Sequence, residues 1–148
     1  GTPLSAPPAN ASAAPEALDL DTGALDRILG HKGKAGGGVY AFGIPRAEAP
    51  REGEMVLPPA MGAAEAINFQ PTEGGKAAIT GDFVLTATEV NPVLRTLRAN
   101  GIEVTALHNH MLDDEPRLFF MHFWADDDAQ KLARGLAAAL KHVAVAAN

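Results

Sequence analysis

Between Ala106 and Trp124 the chain gathers most of its histidines, the side chains best suited here to bind a metal ion. The stretch Ala106-Leu107-His108-Asn109-His110-Met111-Leu112-Asp113-Asp114-Glu115-Pro116-Arg117-Leu118-Phe119-Phe120-Met121-His122-Phe123-Trp124 holds three of the five histidines, two of the four methionines and the only tryptophan. Ile102 to Met111 is β-prone, an acidic turn ending in Pro116 follows, and Arg117 to Trp124 is a second apolar run, which predicts a hairpin. Residues two apart on a strand share a face, so His108 and His110 point the same way. With the turn centred near Asp114–Pro116, His122 falls opposite or diagonal to His108 on that face. Antiparallel neighbours lie close enough there for three imidazoles to converge on one ion. The plainer alternative is that some of these histidines only pack or hydrogen-bond.

Three neutral imidazoles suit zinc, copper or nickel, and nearby thioethers would favour Cu(I). Met111 and Met121 adjoin His110 and His122 but face the other way on a regular strand, so a copper site using them needs a bulge or ligands from the turn. Met61, in a loop, is a freer candidate. An all-histidine site with an open position can activate water as catalytic zinc does, with Glu89, Glu103 or Asp82 as base or as support behind a ligand. Glu103 has the opposite strand parity from His108 and ranks last. Imidazole binds metal only after losing its proton, and the free group titrates near pH ~6.5, so affinity is expected to fall between about pH 7 and pH 5.

Two other classes stand beside this one. A metal-free enzyme could use His108 or His122 as general base, although no Gly-x-Ser-x-Gly or other nucleophile motif supports it. A non-catalytic module could bind a small ligand or a protein through Phe119, Phe120, Phe123 and Trp124, although an apolar hairpin is more often core.

A single domain must position these residues. The chain has 148 residues, enough for a real core, and 47% hydrophobic with 20% charged residues is a globular composition. A net charge of −6 and scattered basic residues argue against nucleic acid as partner. No stretch reaches the ~20 apolar residues of a membrane span. With no cysteine, disulfides, thiolate zinc sites and cysteine nucleophiles are all excluded. Residues 1–17 are almost all Ala, Pro, Ser, Thr and Asn, a composition that cannot bury enough apolar area to order itself. They read as a disordered tether of the kind that follows a cleaved secretion signal or lipid anchor, which points to a periplasmic or secreted protein; residues 18–148 form the folded domain.

The elements follow from local signals. Leu18 to Gly30 carries a helix capped by Asp21 or Thr22, with a Leu25, Ile28, Leu29 stripe and Gly30 at the left-handed end. Gly36-Gly37-Gly38 breaks the chain before a strand from Val39 to Ile44; it lacks the spacing and Lys-Ser/Thr ending of a phosphate loop. Pro45 to Gly62 is mostly loop, with a short strand at Glu54–Leu57. Ala66 to Gln70 is a strand. Lys76 to Thr86 is the longest, with Ile79, Phe83 and Leu85 on one face, Asp82 on the other, and Gly81 marking a bulge or close backbone approach. Asn91-Pro92 is expected to open the second helix and Asn100-Gly101 to end it. Glu89, just before that start, reads first as favourable charge near a helix N-terminus. Asp126-Asp127-Asp128 caps the last helix, whose buried stripe is Leu132, Leu136, Leu140 and Val143; His142 sits near its C-terminus and is not expected to be a ligand. The order predicts an α+β fold, an antiparallel sheet with about three helices on one face. Lys76 to Leu140 reads β-α-β-β-α, like most of a ferredoxin-like split unit.

Gly81-Asp82-Phe83-Val84-Leu85, Glu89-Val90-Asn91-Pro92, Gly101-Ile102-Glu103-Val104-Thr105-Ala106-Leu107-His108-Asn109-His110 and Phe120-Met121-His122-Phe123 together resemble the LppY/LpqO family of exported bacterial proteins and lipoproteins, also known as a domain of unknown function. The similarity runs from about Leu25 to Leu140. Its most specific piece is Thr-Ala-Leu-His-Asn-His followed by Met-His. The resemblance implies an exported bacterial protein and supplies no activity, so the expected role rests on residue chemistry: a divalent copper or zinc ion held by His108, His110 and His122. Because residues 1–17 offer no core side chains, deleting them should leave the melting temperature within about one or two degrees of the full chain, surface changes costing under ~0.5 kcal/mol. Thermal unfolding of the two chains checks this, and a large drop would show that the segment docks.

Overall fold

Asp21 starts the first element. Its carboxylate accepts from the Ala24 amide at 3.1 Å, and α1 (Thr22–Leu29) runs to Gly30, which closes it at φ 75°. The computed structural model describes residues 18–47, 51–52, 55–56, 64–109 and 118–145. β1 (Lys34–Gly36) and β2 (Val39–Pro45) form a hairpin whose two turn residues, Gly37 and Gly38, both have positive φ, the conformation a tight two-residue turn needs. β3 (Arg51–Glu52) and β4 (Met55–Val56) make a separate short ladder. Then come β5 (Ala64–Pro71), β6 (Lys76–Thr86), α2 (Ala87–Ala99), β7 (Glu103–Asn109), β8 (Leu118–Asp128) and α3 (Ala129–Leu140).

The six long-range strands form one open antiparallel sheet in the order β1-β2-β5-β6-β8-β7. Both β6 and β7 run antiparallel to β8, so they are parallel to one another with β8 inserted between them. This is the split β-α-β arrangement expected from the order of elements. The fold is α+β, with three helices and an antiparallel sheet among the described residues.

Alternation sorts the strands into two faces. Tyr40, Phe42 and Ile44 of β2, Ile67 and Phe69 of β5, Ile79, Phe83 and Leu85 of β6, and Met121, Phe123 and Ala125 of β8 are buried. They meet Leu25 of α1, Val93 and Leu97 of α2, and Leu132, Leu136 and Leu140 of α3 in one core. α3 packs against both other helices. The alternate positions, including Asn68, Thr80, Asp82, His122 and Trp124, stay partly or largely exposed on the opposite side.

Gly81 is the close approach rather than a bulge. The ladder of β6 with β8 runs unbroken from Lys76↔Asp128 to Thr86↔Leu118. A Cβ at Gly81 would lie 2.2 Å from the Ala66 carbonyl oxygen and 2.5 Å from the Phe123 ring. The ring is itself packed on Phe83, with centroids 4.9 Å apart.

Two helix starts differ from expectation. α2 begins at Ala87, not Pro92, because Thr86 and Glu89 supply an earlier cap: the Thr86 amide donates to Glu89 Oε1 at 2.8 Å. Pro92 falls inside the helix, where its missing N–H removes one bond, and the Thr96 hydroxyl donates to the Pro92 carbonyl at 2.8 Å. At α3, only Asp128 caps, accepting from the Lys131 amide at 3.0 Å. Asp126 and Asp127 continue β8 because β6 still offers Ala78 and Ala77 as partners. The tether at residues 1–17 lies outside the described residues.

A buried polar hub, not foreseen from the sequence, closes one end of the sheet. Arg46 is 8% exposed and Glu65 fully buried. Arg46 donates to Glu89 in bidentate fashion, Nη1 to Oε1 at 2.9 Å and Nη2 to Oε2 at 3.0 Å, and Nη1 also donates to the Val84 carbonyl at 2.8 Å. Glu65 Oε1 accepts from the Val84 amide at 2.6 Å, while Oε2 has no hydrogen bond and lies 3.8 Å from Arg46. Glu89 also accepts from the Ala144 amide at 3.2 Å, tying in the C-terminal segment. Burial pushes Glu65 up to about 8, against the lowering effect of the Val84 amide and Arg46. For Glu89 burial acts upward too, but Arg46 and the Thr86 and Ala144 amides outweigh it and hold the carboxyl below its ordinary value.

Two predictions follow from this packing. Gly81→Ala should destabilise by at least about 2 kcal/mol, since backbone must move to admit the methyl group, whereas Gly43→Ala, with no atom within 4 Å of the new Cβ, should stay within about 0.5 kcal/mol of wild type; urea unfolding checks both. Glu65 keeps its proton in the fold above the pH at which the unfolded chain releases it. Stability should therefore fall as pH rises from about 4.5 to about 8. Glu89 acts oppositely, contributing above its unfolded value of 4.5 and losing that contribution as pH falls through its lower folded value. Urea midpoints at pH 5 and pH 8 should differ less in Glu65→Gln than in wild type, and an unchanged difference would assign the slope to other groups.

Candidate functional site

The register of the sheet brings the site together. On its open face Ala66 pairs with Asp82, Asp82 with His122, and His122 with Ala106, so a carboxylate and an imidazole stand side by side between two small residues. One pair further along, His108 faces Phe120, which puts His108 diagonal to His122. The His108 ring stacks on Phe120, with centroids 6.0 Å apart and planes 15° from parallel, and also lies 5.1 Å from the His122 ring. His122 Nδ1 contacts Asp82 Oδ1, and His122 Nε2 lies 3.1 Å from His108 Nε2. The His122 and Asp82 side chains are 40% and 41% exposed, so solvent and ligands reach them.

The chemistry of this array follows from its polarity. With Nδ1 beside the Asp82 carboxylate, a neutral His122 that carries its proton on Nδ1 keeps its lone pair on Nε2. That lone pair points at His108 Nε2. It can accept a proton from His108, giving a carboxylate–imidazole–imidazole relay, or both Nε2 lone pairs can meet a cation between them. Among the described residues no group of three or more His, Asp or Glu side chains stands ready to hold an ion. Asp82 is engaged behind His122 rather than beside it.

The other candidates separate clearly. His110, Met111 and Met61 lie outside the described residues. Met121 is fully buried on the core face, because β8 is regular through this point, and so is removed as a partner of His122. The Glu89 carboxylate serves Arg46, the α2 cap and the Ala144 amide. Glu103 reverses its expected parity. A register shift between Val104 and Ala106 leaves Thr105 bulged and pairs Glu103 with Trp124, on the same side as His108. The Thr105 hydroxyl donates to the His122 carbonyl at 3.3 Å. No local pattern around Val104–Ala106 marks this bulge. Phe119, Phe120 and Phe123 do not act together as a binding patch: Phe123 is buried in the core, Phe120 underlies His108, and only Trp124 of the aromatic run is widely exposed.

Beside His122 the open face forms a groove of about 500 Å³ whose lining includes Asn68, Thr80, Asp82, Thr105, His122 and Trp124. Gly81 and Ala106 also line it, and their small size leaves room beside His122. No described helix is long and apolar enough to cross a membrane.

Neither the curated proteins nor the solved structures contain a match to the chain. A family model described as Domain of Unknown Function (DUF1259) matches residues 23–142, a span that takes in the whole sheet from β1 to β8 together with Asp82, His108 and His122. The chain belongs to that family.

Proposed function

We propose that the protein binds a divalent copper or zinc ion through His108 and His122, with His110 as the third ligand, and serves in metal handling outside the cytoplasm. The observation that carries this reading is the 3.1 Å separation of the two Nε2 atoms. Nitrogens each ~2.0–2.1 Å from one ion stand about 2.9–3.4 Å apart at the angles of tetrahedral or square coordination. Asp82 behind His122 fits as well, since a metal-bound imidazole commonly donates its other N–H to a carboxylate, which fixes the ring and raises its basicity. His110 shares strand parity with His108 in the sequence. The absence of cysteine and the burial of Met121 favour a divalent ion over Cu(I). The composition of residues 1–17 and the LppY/LpqO resemblance support export. The groove beside His122 supports a second reading, a metal-dependent hydrolase using the same histidines.

Calorimetric titration of tag-free protein with Zn²⁺ and Cu²⁺ tests the proposal. One ion per chain should bind at pH 7, with affinity falling steeply at pH 5 as several ligands take up protons. Replacing His108, His110 or His122 by Ala should abolish tight binding, and Asp82→Asn should weaken it by about 10–100-fold. Equal affinity at both pH values, or in the histidine variants, would sink the imidazole site. Strong hydrolysis of a test ester or phosphoester by the zinc form would replace metal handling by catalysis.

A further inference from the structure

We infer that the groove on the open face of the sheet is a binding site for a neutral sugar, formed by Trp124, Asn68, Thr80 and Asp82. The site shares the neighbourhood of His122 with the metal reading but does not depend on it.

Two cross-strand rows build the groove. One row is Asn68–Thr80–Trp124 on β5, β6 and β8; the next is Ala66–Asp82–His122–Ala106. Strands lie about 4.8 Å apart and same-face residues along a strand roughly 7 Å apart. A single six-membered ring lying on the face therefore touches both rows. Trp124 is 43% exposed, an unusual setting for the chain's only tryptophan. The side chains of Asn68, Thr80 and Trp124 make no hydrogen bond to any described residue, which leaves an amide, a hydroxyl and an indole N–H unspent around one hollow. The Asp82 oxygen not taken by His122 adds an acceptor.

That set of groups selects a ligand class. An indole face takes an apolar ring surface, and the amide, hydroxyl and carboxylate around it take hydroxyl groups. A sugar ring offers both, with an apolar C–H face and a rim of hydroxyls. A purely apolar ligand would strand the polar groups it desolvates. A phosphate or carboxylate would meet Asp82 with no Lys or Arg in the lining to pair with it, in a chain of net charge −6. A cation would lean on the Asp82 charge, which His122 already engages.

Trp124 is also the reporter, because its emission is the protein's entire tryptophan signal. The full chain, stripped of metal with a chelator, is titrated with glucose, N-acetylglucosamine, cellobiose and chitobiose, and in parallel with glucose 6-phosphate and choline. At least one neutral saccharide should shift the emission saturably, with a Kd of about 1 mM or tighter. Asn68→Ala and Thr80→Val should each weaken that binding about three- to tenfold, while Arg95→Ala, on the exposed side of α2, should not. If Asn68→Ala fails to fold, Thr80→Val carries the same test. No change in emission with any neutral saccharide up to about 50 mM overturns the inference. So does binding of choline or glucose 6-phosphate with equal or higher affinity, or saccharide binding indifferent to the groove variants. Because metal is absent throughout, failure here leaves the metal reading standing, and failure of metal binding leaves this one intact.

Discussion

The ladder between β6 and β8 holds the molecule in register. Every residue from Lys76 to Thr86 has a partner from Asp128 back to Leu118. Because side chains alternate along a strand, this one alignment settles both sides of the sheet at once. On the inner side it stacks Phe83 on Phe123 and leaves Gly81 beneath the ring with no room for a Cβ. On the outer side it sets Asp82 against His122. A slip of one residue would carry Asp82 into the core and Phe83 into water, so the apolar core enforces the position of the polar pair. The insertion of β8 between the parallel β6 and β7 does the rest, since only that placement lets His108 reach His122 from the opposite flank of the same strand.

The buried hub supports this alignment at one end. Arg46 follows β2, Glu65 lies in β5, Val84 in β6 and Glu89 in α2, and the Ala144 amide belongs to the segment after α3. Burying charge is costly, and it is tolerated here because Arg46 is bidentate to Glu89 while burial favours the neutral form of Glu65. The guanidinium thus faces one carboxylate that is charged and one that keeps its proton over much of the ordinary pH range. Removing one partner of such a buried pair typically costs about 3–5 kcal/mol, because the other charge is left uncompensated. The hub joins the β2–β5 edge to the β6–α2 junction, so it fixes where β6 ends and where α2 begins.

The sheet divides into a covered and an open face. The three described helices lie against the apolar face, and among the described residues the open face is left to side chains such as Asn68, Thr80, Asp82, His122, Trp124 and His108. Small residues at Ala66 and Ala106 keep the polar row accessible on either side. The apolar core lies on one face, and the solvent-reachable imidazoles and carboxylate stand on the other. This separation lets a pair of solvent-reachable imidazoles be held by rigid strands rather than by loops.

Much of the fold was legible from local signals. Gly30, the Gly37-Gly38 turn, the bounds of β6 and the Leu132, Leu136, Leu140 stripe each follow from residue type and spacing. The misplaced start of α2 was also local: Thr86-x-x-Glu89 and Asn91-Pro92 both look like helix starts, and the first prevails because Glu89 is held in place by Arg46 as well as by the Thr86 amide. For the site, strand alternation alone placed His108 and His122 on one face and Asp82 opposite Ile79. Three things were not in the sequence. The partner of His122 is Asp82, forty residues earlier, and only the β6–β8 register joins them. Glu103 turns toward the open face because of a bulge at Thr105 that no residue type announces. Glu65 and Arg46 become a hub only because four elements and the C-terminal segment converge on them. Alternation and capping are properties of neighbouring residues and can be read along the chain; register, bulging and burial are set by which distant strands meet, and the tertiary structure alone decides that.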